Sequence, residues 1–353
     1  MKQRAILAVV TLALFVPTSA YAITRHQGHD LRTRAEKGDS AALSSLISAA
    51  QDGDANAEAY LGEYYLRKHQ YKQCLAWMEK SSDQNNAIGE AGLGYAYATG
   101  QDVPQNYATA NAWYLKAARQ GDALAENNLG WSYHQGHGVP QNYITANAWL
   151  LKAAKQGNAT AESNLGNAYF HGHGVPQNYA TANAWYLKAA QQGYAIAEFN
   201  LGNAYYFGRG VPQNYATANA WYLKAAQQGY ADAEFDLGNA YYSGQGVTQN
   251  YATANAWYLK AAQQGSAYAE TNLGRAYDYG RGVPQSHATA NIWYLKAAKQ
   301  SNATAEYDLG DNYYYGRGVS RNTSLALYWW KKSAKHGGRP GELAQQNIDA
   351  NSM

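Results

Sequence analysis

The sequence predicts an all-α fold, a solenoid of about eight helix-turn-helix repeats with a 36-residue period. Three observations predict it. Val103, Val139, Val175, Val211, Val247, Val283 and Val319 stand 36 residues apart without exception, and the text between them barely changes. Within each unit the apolar residues recur three and four apart, which places them on one side of a helix. At 353 residues the chain also exceeds the size at which a single compact core stops growing, so several domains or an elongated array is required. Helix pairs this small cannot each bury a core alone and must stack on their neighbours.

The elements follow in order. Residues 1–22 read as a secretory signal peptide: Lys2 and Arg4 give a positive start, Ala5 to Val16 an apolar run, and Ala20-Tyr21-Ala22 a small-residue cleavage signal. The apolar run of 12 residues is shorter than the roughly 20 that a membrane-crossing helix needs, and no later stretch approaches that length. Cleavage after Ala22 is expected to deliver a periplasmic or secreted protein that does not span the membrane. Residues 23–52 form an N-terminal segment with a capping helix near Ser40 to Ala50. Residues 53–336 hold the repeats, of which the first two, marked by Leu61-Gly62 and Leu93-Gly94, are only 32 residues apart and lack most of the loop. Residues 337–353 form a C-terminal tail whose weak apolar content predicts fraying.

Each unit contains two helices. The second opens at an asparagine such as Asn106, whose side chain can accept a backbone N–H, and closes at Gly121, a residue suited to a left-handed exit. Tyr107, Ala110, Trp113, Tyr114 and Ala117 form its apolar face. The first helix of the next unit runs from about Asp122 to His134 and ends in Gly136-His137-Gly138, where the glycines allow a sharp turn before Val139-Pro140. Alanine-rich faces permit close packing, with the tryptophan supplying bulk.

At these residues the chain resembles a known family. The pattern A-x-x-x-L-G-x-x-Y-x-x-G-x-G-V, an Asn, and then W-Y-L-K-A-A-x-x-G is similar to the Sel-1-like repeats, relatives of the tetratricopeptide repeats, over roughly residues 53 to 336. The resemblance implies a right-handed α/α solenoid that works as a binding scaffold, in bacteria often for envelope proteins or host contact, with no cofactor. Two departures stand out. Asn106, Asn142, Asn178, Asn214 and Asn250 occupy a position where the family commonly has Asp, and the Gly-x-Gly loop is degraded at Gly100-Gln101-Asp102. Cysteine-rich members, some described as penicillin-binding or β-lactamase-like, carry paired cysteines that this chain lacks, so that activity is not carried over.

Composition narrows the function classes. Only 15% of residues are charged and the net charge is +3, falling to +1 once Lys2 and Arg4 are removed, so the electrostatic footprint of nucleic-acid binding is missing. One cysteine, Cys74, can form neither an internal disulfide nor a thiolate zinc site of the usual kind, and reads as a packed small apolar residue.

Comparing units within the chain separates two helix faces. Counted from the residue before each first helix (Gly121, Gly157, Gly193, Gly229, Gly265 and Ser301) at about 100° per residue, the near-constant positions 2, 4, 5, 8, 9, 11 and 12 fall between about 20° and 200°. Positions 3, 6, 7, 10, 13 and 14, which vary or stay polar, fall between about 220° and 340°. The first face is fixed by packing and the second is free to bind. Position seven carries Asn128, Asn164, Asn200, Asp236, Asn272 and Asp308, and position ten Asn167, Asn203, Asn239, Arg275 and Asp311. Aromatics join them at Phe199, Phe235 and Tyr307 and at Tyr206, Tyr242 and Tyr314, with Asp278 in the same row. By resemblance, first helices line the concave side. Stacked amides there could bond an extended peptide backbone or sugar hydroxyls, while rings stack or anchor apolar groups. The alternative is that the amides bond only to neighbouring helices and the rings fill gaps between units.

Other signals carry less. His134, His137, His171 and His173 lie in successive turns, but the equivalents of His137 and His173 become Arg209, Gln245, Arg281 and Arg317, as a solvated loop tip would, and no metal is expected. The Gly-x-Gly-Val-Pro loop lacks the lysine and preceding strand of a phosphate loop. Glu126, Glu162, Glu198, Glu234, Glu270 and Glu306 recur with Lys116, Lys152, Lys188, Lys224, Lys260 and Lys296, and a copy in every unit points to structural ion pairs or caps rather than catalysis. The expectation is a non-enzymatic exported scaffold for a protein or peptide segment, in envelope assembly or host interaction. A glycan-binding module, for peptidoglycan or exopolysaccharide, is the alternative, and an envelope hydrolase the remote one.

Overall fold

A computed structural model describes residues 22–351, so the proposed signal peptide, apart from Ala22, lies outside the described residues. Among these residues there are nineteen α-helices and no strand: the chain is an all-α solenoid of consecutive helix pairs. It divides into two compact units, one up to Gln141 and one from Asn142. The first holds α1 (Arg25–Glu36), α2 (Ser40–Gln51), α3 (Ala55–Arg67), α4 (Tyr71–Asp83), α5 (Ala87–Thr99), α6 (Tyr107–Arg119) and α7 (Ala123–Gln135). The second holds α8 (Tyr143–Lys155), α9 (Ala159–His171), α10 (Tyr179–Gln191), α11 (Ala195–Phe207), α12 (Tyr215–Gln227), α13 (Ala231–Ser243), α14 (Tyr251–Gln263), α15 (Ala267–Tyr279), α16 (His287–Lys299), α17 (Ala303–Tyr315), α18 (Thr323–Ala334) and α19 (Gly338–Ala350).

The repeated text explains each helix boundary. Asn178, Asn214 and Asn250 open α10, α12 and α14 by accepting the backbone N–H three residues on, each at 2.9 Å. Gly210, at φ 71°, brings the following loop against the start of α10, where a Cβ would come within 2.5 Å of the Tyr179 carbonyl carbon. The same loop is also clamped from α10, since the buried Asn183 donates to the Arg209 carbonyl at 2.8 Å.

Alanine lets the helices close, and tyrosine fills the space. In one layer of the second unit Ala218, Ala225, Ala226, Ala233 and Leu237 pack around Tyr222. Gly202 faces that ring: a Cβ would lie 2.4 Å from it, so the glycine is there for size. The sequence reading gives the bulk to tryptophan, whereas the repeated tryptophans are half-buried and the tyrosines fully so. The reason is the lysine three residues on, which lies over the indole face at 4.0 Å in Lys224–Trp221 and 4.1 Å in Lys260–Trp257.

That stacking also corrects the expected ion pairs. The recurring glutamates are buried and accept from a glutamine thirty residues on: Gln192 to Glu162 at 2.7 Å, Gln228 to Glu198 at 2.8 Å, Gln264 to Glu234 at 2.7 Å. Burial raises the pKa of each of these carboxyls, opposed by the glutamine bond and more weakly by the lysine. Glu306, by contrast, takes basic partners, Lys332 at 3.5 Å and His336 at 3.2 Å.

Both ends are built out further than the sequence suggests. Ahead of the repeats, α1 and α2 make a complete pair, and Ile23 is tied to α3 by a bond to Asp54 Oδ2 and one from Asn56 Nδ2, both 2.7 Å. The C-terminal segment contains the helix α19, whose Ala344 and Ile348 are buried with Ala326 and Trp330.

Candidate binding face

In the second unit the variable face of the first helices is half-buried, and its amides form linked hydrogen bonds. Asn167, Asn203 and Asn239 at position ten accept the phenols of Tyr186, Tyr222 and Tyr258 at 2.7, 2.8 and 2.8 Å. Asn239 Nδ2 reaches Asp236 at 3.4 Å, and Asn272 Nδ2 reaches Asn239 at 3.5 Å. One step further, Arg275 pairs with Asp308 at 2.9 Å. The chain varies donor and acceptor together. Asp311 at position ten accepts from the Trp330 indole at 3.1 Å, and where position ten is Trp131 the same repeat carries Leu150 in place of the tyrosine. The Asn200 side chain makes no hydrogen bond among the described residues. Burial pushes Asp236 up to about 6, against the Asn239 bond, and Asp308 up to about 6 against the pull of Arg275.

The aromatics border this row. Phe199 tilts against Tyr222 and Tyr230, and Phe235 against Tyr258 and Tyr268, so the rings at position six bridge adjacent helices. Tyr206 donates to Gln245 at 3.0 Å, Tyr242 accepts from Arg281, and Tyr314 lies against Trp330, while Tyr307 packs in the cluster that holds α19. Position fourteen, next to them, is more exposed: Phe207, Tyr279 and Tyr315 are at 54, 58 and 60%, each with the arginine two residues on over its ring.

In the first unit the corresponding face opens into a pocket of about 600 Å³ between α1, α3, α5 and α7. Tyr60, Leu66, Ile88, Tyr95 and Leu124 line it, Met78 of α4 forms its floor, and charged groups stand at its rim. A shallower hollow of about 400 Å³ continues it past Tyr95 and Asn128 to Trp131. Among the described residues no group of three or more His, Cys, Asp or Glu is placed to hold a metal ion.

The Sel1 repeat family model matches eight consecutive stretches, from 55–86 through 303–338. The chain belongs to the Sel1-repeat family. It is 36% identical to c5321, a protective antigen present in uropathogenic Escherichia coli strains displaying an SLR fold, with a TM-score of 0.75 over 87% of this chain and 66% of that one. This chain thus spans just under two thirds of that relative. A Sel1 repeat protein from Oxalobacter formigenes is 31% identical, with a TM-score of 0.63 over 92% of this chain and 94% of that one. No curated protein matches the chain. Sel1-repeat proteins are scaffolds that commonly mediate protein interactions, and no helix among the described residues is long and apolar enough to cross a membrane.

Within these Sel1 repeats the residues singled out from the sequence come together unequally. Asn200, Asn203, Phe199, Asp236, Asn239, Phe235 and Asn272 lie on successive first helices, whereas Tyr307 is taken up by α19 and Arg275 by Asp308. Asn164 is half-buried on α9, and Asn128 belongs to the pocketed first unit. Residues that the sequence reading does not single out are Tyr60, Glu63, Leu66, Ile88, Gly92 and Tyr95. A signal for them exists: counted from Gly53 and Asn85, they occupy positions three, seven, ten and thirteen of α3 and α5, the same variable face.

Proposed function

We propose that this Sel1-repeat protein is a non-enzymatic, exported adaptor that holds a polypeptide segment along the first-helix face, in envelope assembly or host interaction. The observation that carries this reading is the half-buried row at positions seven and ten. Phenols from within the fold fix the position-ten amides in orientation, yet Asn200 and the NH2 groups of Asn167 and Asn203 keep hydrogen-bonding capacity toward solvent. Amides fixed at one repeat spacing can meet the alternating donors and acceptors of an extended chain with little entropy lost on binding. The description of a relative as a protective antigen supports export, as does the leader-like start of this sequence.

Crosslinking in the native envelope tests it. The intact protein should capture a partner that a variant with Asn200, Asp236 and Asn272 all changed to Ala does not, at little cost in melting temperature. Equal capture by both would reject the row as a binding surface. The exposed rings at position fourteen favour a second reading, a glycan laid across Phe207, Tyr279 and Tyr315. It requires insoluble peptidoglycan or exopolysaccharide to retain the wild type and release the triple-alanine variant of those rings.

A further inference from the structure

The pocket of the first unit has a specific origin. In α11 and α13, positions six and seven carry Phe199-Asn200 and Phe235-Asp236, but in α5 they are Ala91-Gly92. Two large side chains are missing from the row, and the gap reaches down to Met78, which would lie 2.4 Å from a Cβ on Gly92. Gly28 widens the other wall: a Cβ there would overlap the Tyr60 ring at 2.2 Å, so α1 leaves that ring facing the space. The result is an apolar cup, about 600 Å³ in volume and within the range of ligand sites, set into an otherwise polar face.

The rim chooses the charge of what enters. Arg32 is engaged by Glu36 and Glu63, and Arg67 by Glu36. Burial raises the pKa of Glu63 and of Asp122, the latter capping α7 at Ala125 and drawn back by Arg25, and with three arginines against these two acids the pocket wall keeps a net positive charge. Arg25 is exposed, lines the same pocket and makes no ion pair among the described residues, its charge reaching Asp122 and the Tyr60 phenol, which makes no hydrogen bond among the described residues. An exposed guanidinium near an unbonded phenolic O–H suits a carboxylate.

We infer that this pocket receives a bulky apolar side chain of a partner polypeptide, with a carboxylate next to it in that polypeptide held by Arg25 and Tyr60. The inference rests on the reading of the first-helix face as a peptide-binding surface, and it names the partner's anchor: an aromatic or branched aliphatic residue followed by Asp, Glu or the chain terminus. Leu124, 51% exposed at the rim, covers the anchor, and Asn128 continues the row from the pocket.

Fluorescence anisotropy with short labelled peptides tests it on the chain beginning at Ile23. The probes are Gly-Ser-Phe-Asp-Gly-Ser and its Phe-Asn and Ala-Asp counterparts, all blocked at both ends. The Phe-Asp peptide should bind about tenfold more tightly than either counterpart, the difference expected of one charge-assisted bond or one buried ring. Arg25→Glu should erase the preference for Asp over Asn, and Leu124→Asp should weaken both Phe peptides. Both residues are exposed, so the fold tolerates the changes, and circular dichroism checks it. The variant with Asn200, Asp236 and Asn272 changed to Ala should keep the preference for Asp, because those residues lie outside the first unit. Equal binding of Asp and Asn peptides, or a preference that survives Arg25→Glu, overturns the pocket. If binding then depends on the three amides instead, the wider reading stands without it; if no peptide binds at all, both fall.

Discussion

The bond between Asn203 and Tyr222 decides how much of the candidate face belongs to the fold, and a double-mutant cycle measures it. Tyr222 is 1% exposed, and burial holds its phenol far above the usual tyrosine range, so the hydroxyl stays protonated and needs an acceptor. Its acceptor is Asn203 Oδ1 at 2.8 Å. Asn203→Ala leaves a buried donor unsatisfied and should cost about 1–3 kcal/mol. Tyr222→Phe removes the donor and returns a half-exposed amide to water, which should cost only about 0.5–1.5 kcal/mol. With both changes the second loss should largely disappear, giving a coupling energy of about 1 kcal/mol. Urea unfolding followed by circular dichroism reads all four proteins, with unchanged m-values as the control. The Asn200→Ala control should be nearly neutral, since that side-chain amide makes no hydrogen bond among the described residues. Additive losses, with coupling below about 0.3 kcal/mol, would refute the assignment of position ten to the fold.

Three further outcomes are expected. The folded-state pKa of Asp236, about 6, lies above its ordinary value of 3.8, so the buried carboxylate penalises the fold once ionised: no effect below about pH 4, rising loss through pH 6. Asp236→Asn should therefore gain up to about 3 kcal/mol at pH 7 and nothing at pH 3.5 in paired urea titrations, and an equal gain at both would contradict this account. Gly210→Ala places a Cβ 2.5 Å from backbone at φ 71° and should cost about 2 kcal/mol or more, read as a fall in melting temperature; a neutral result would mean that the loop is not held as described. Cleavage after Ala22 would make the Ile23 nitrogen, 2.7 Å from Asp54, an ammonium. A chain starting at Ile23 should exceed one retaining Ala22 by about 1 kcal/mol, and Asp54→Asn should abolish the difference between the two in thermal melts.

Most of the fold was legible because each unit repeats its own punctuation. The Asn caps, the Gly-x-Gly turn and the alanine face occur at one spacing, and each maps to a boundary or a contact in α8 to α18. Misreadings arose where one side chain had two plausible partners. Lys224 looked like the mate of a glutamate, yet it stacks on its own Trp221 and leaves Glu198 to Gln228, a choice that depends on the distance between adjacent helices. The candidate face could be read from variability alone, but not its division of labour: variability cannot tell an asparagine bonded to a phenol beneath it from one open to water. The pocket was hidden for another reason. It arises from side chains that are missing, and Ala91-Gly92 looks like filler until its neighbours are in place.

The grip of Gln228 on Glu198, like that of Gln264 on Glu234, joins a charged acceptor to a neutral donor. Dissolved salt screens such an ion–dipole contact far less than it screens two opposed ions. In the second unit the joints between α10 and α15 therefore hold equally in dilute and in briny surroundings. Were the chain exported as proposed, those joints would meet an ionic strength set by the environment and not by the cell.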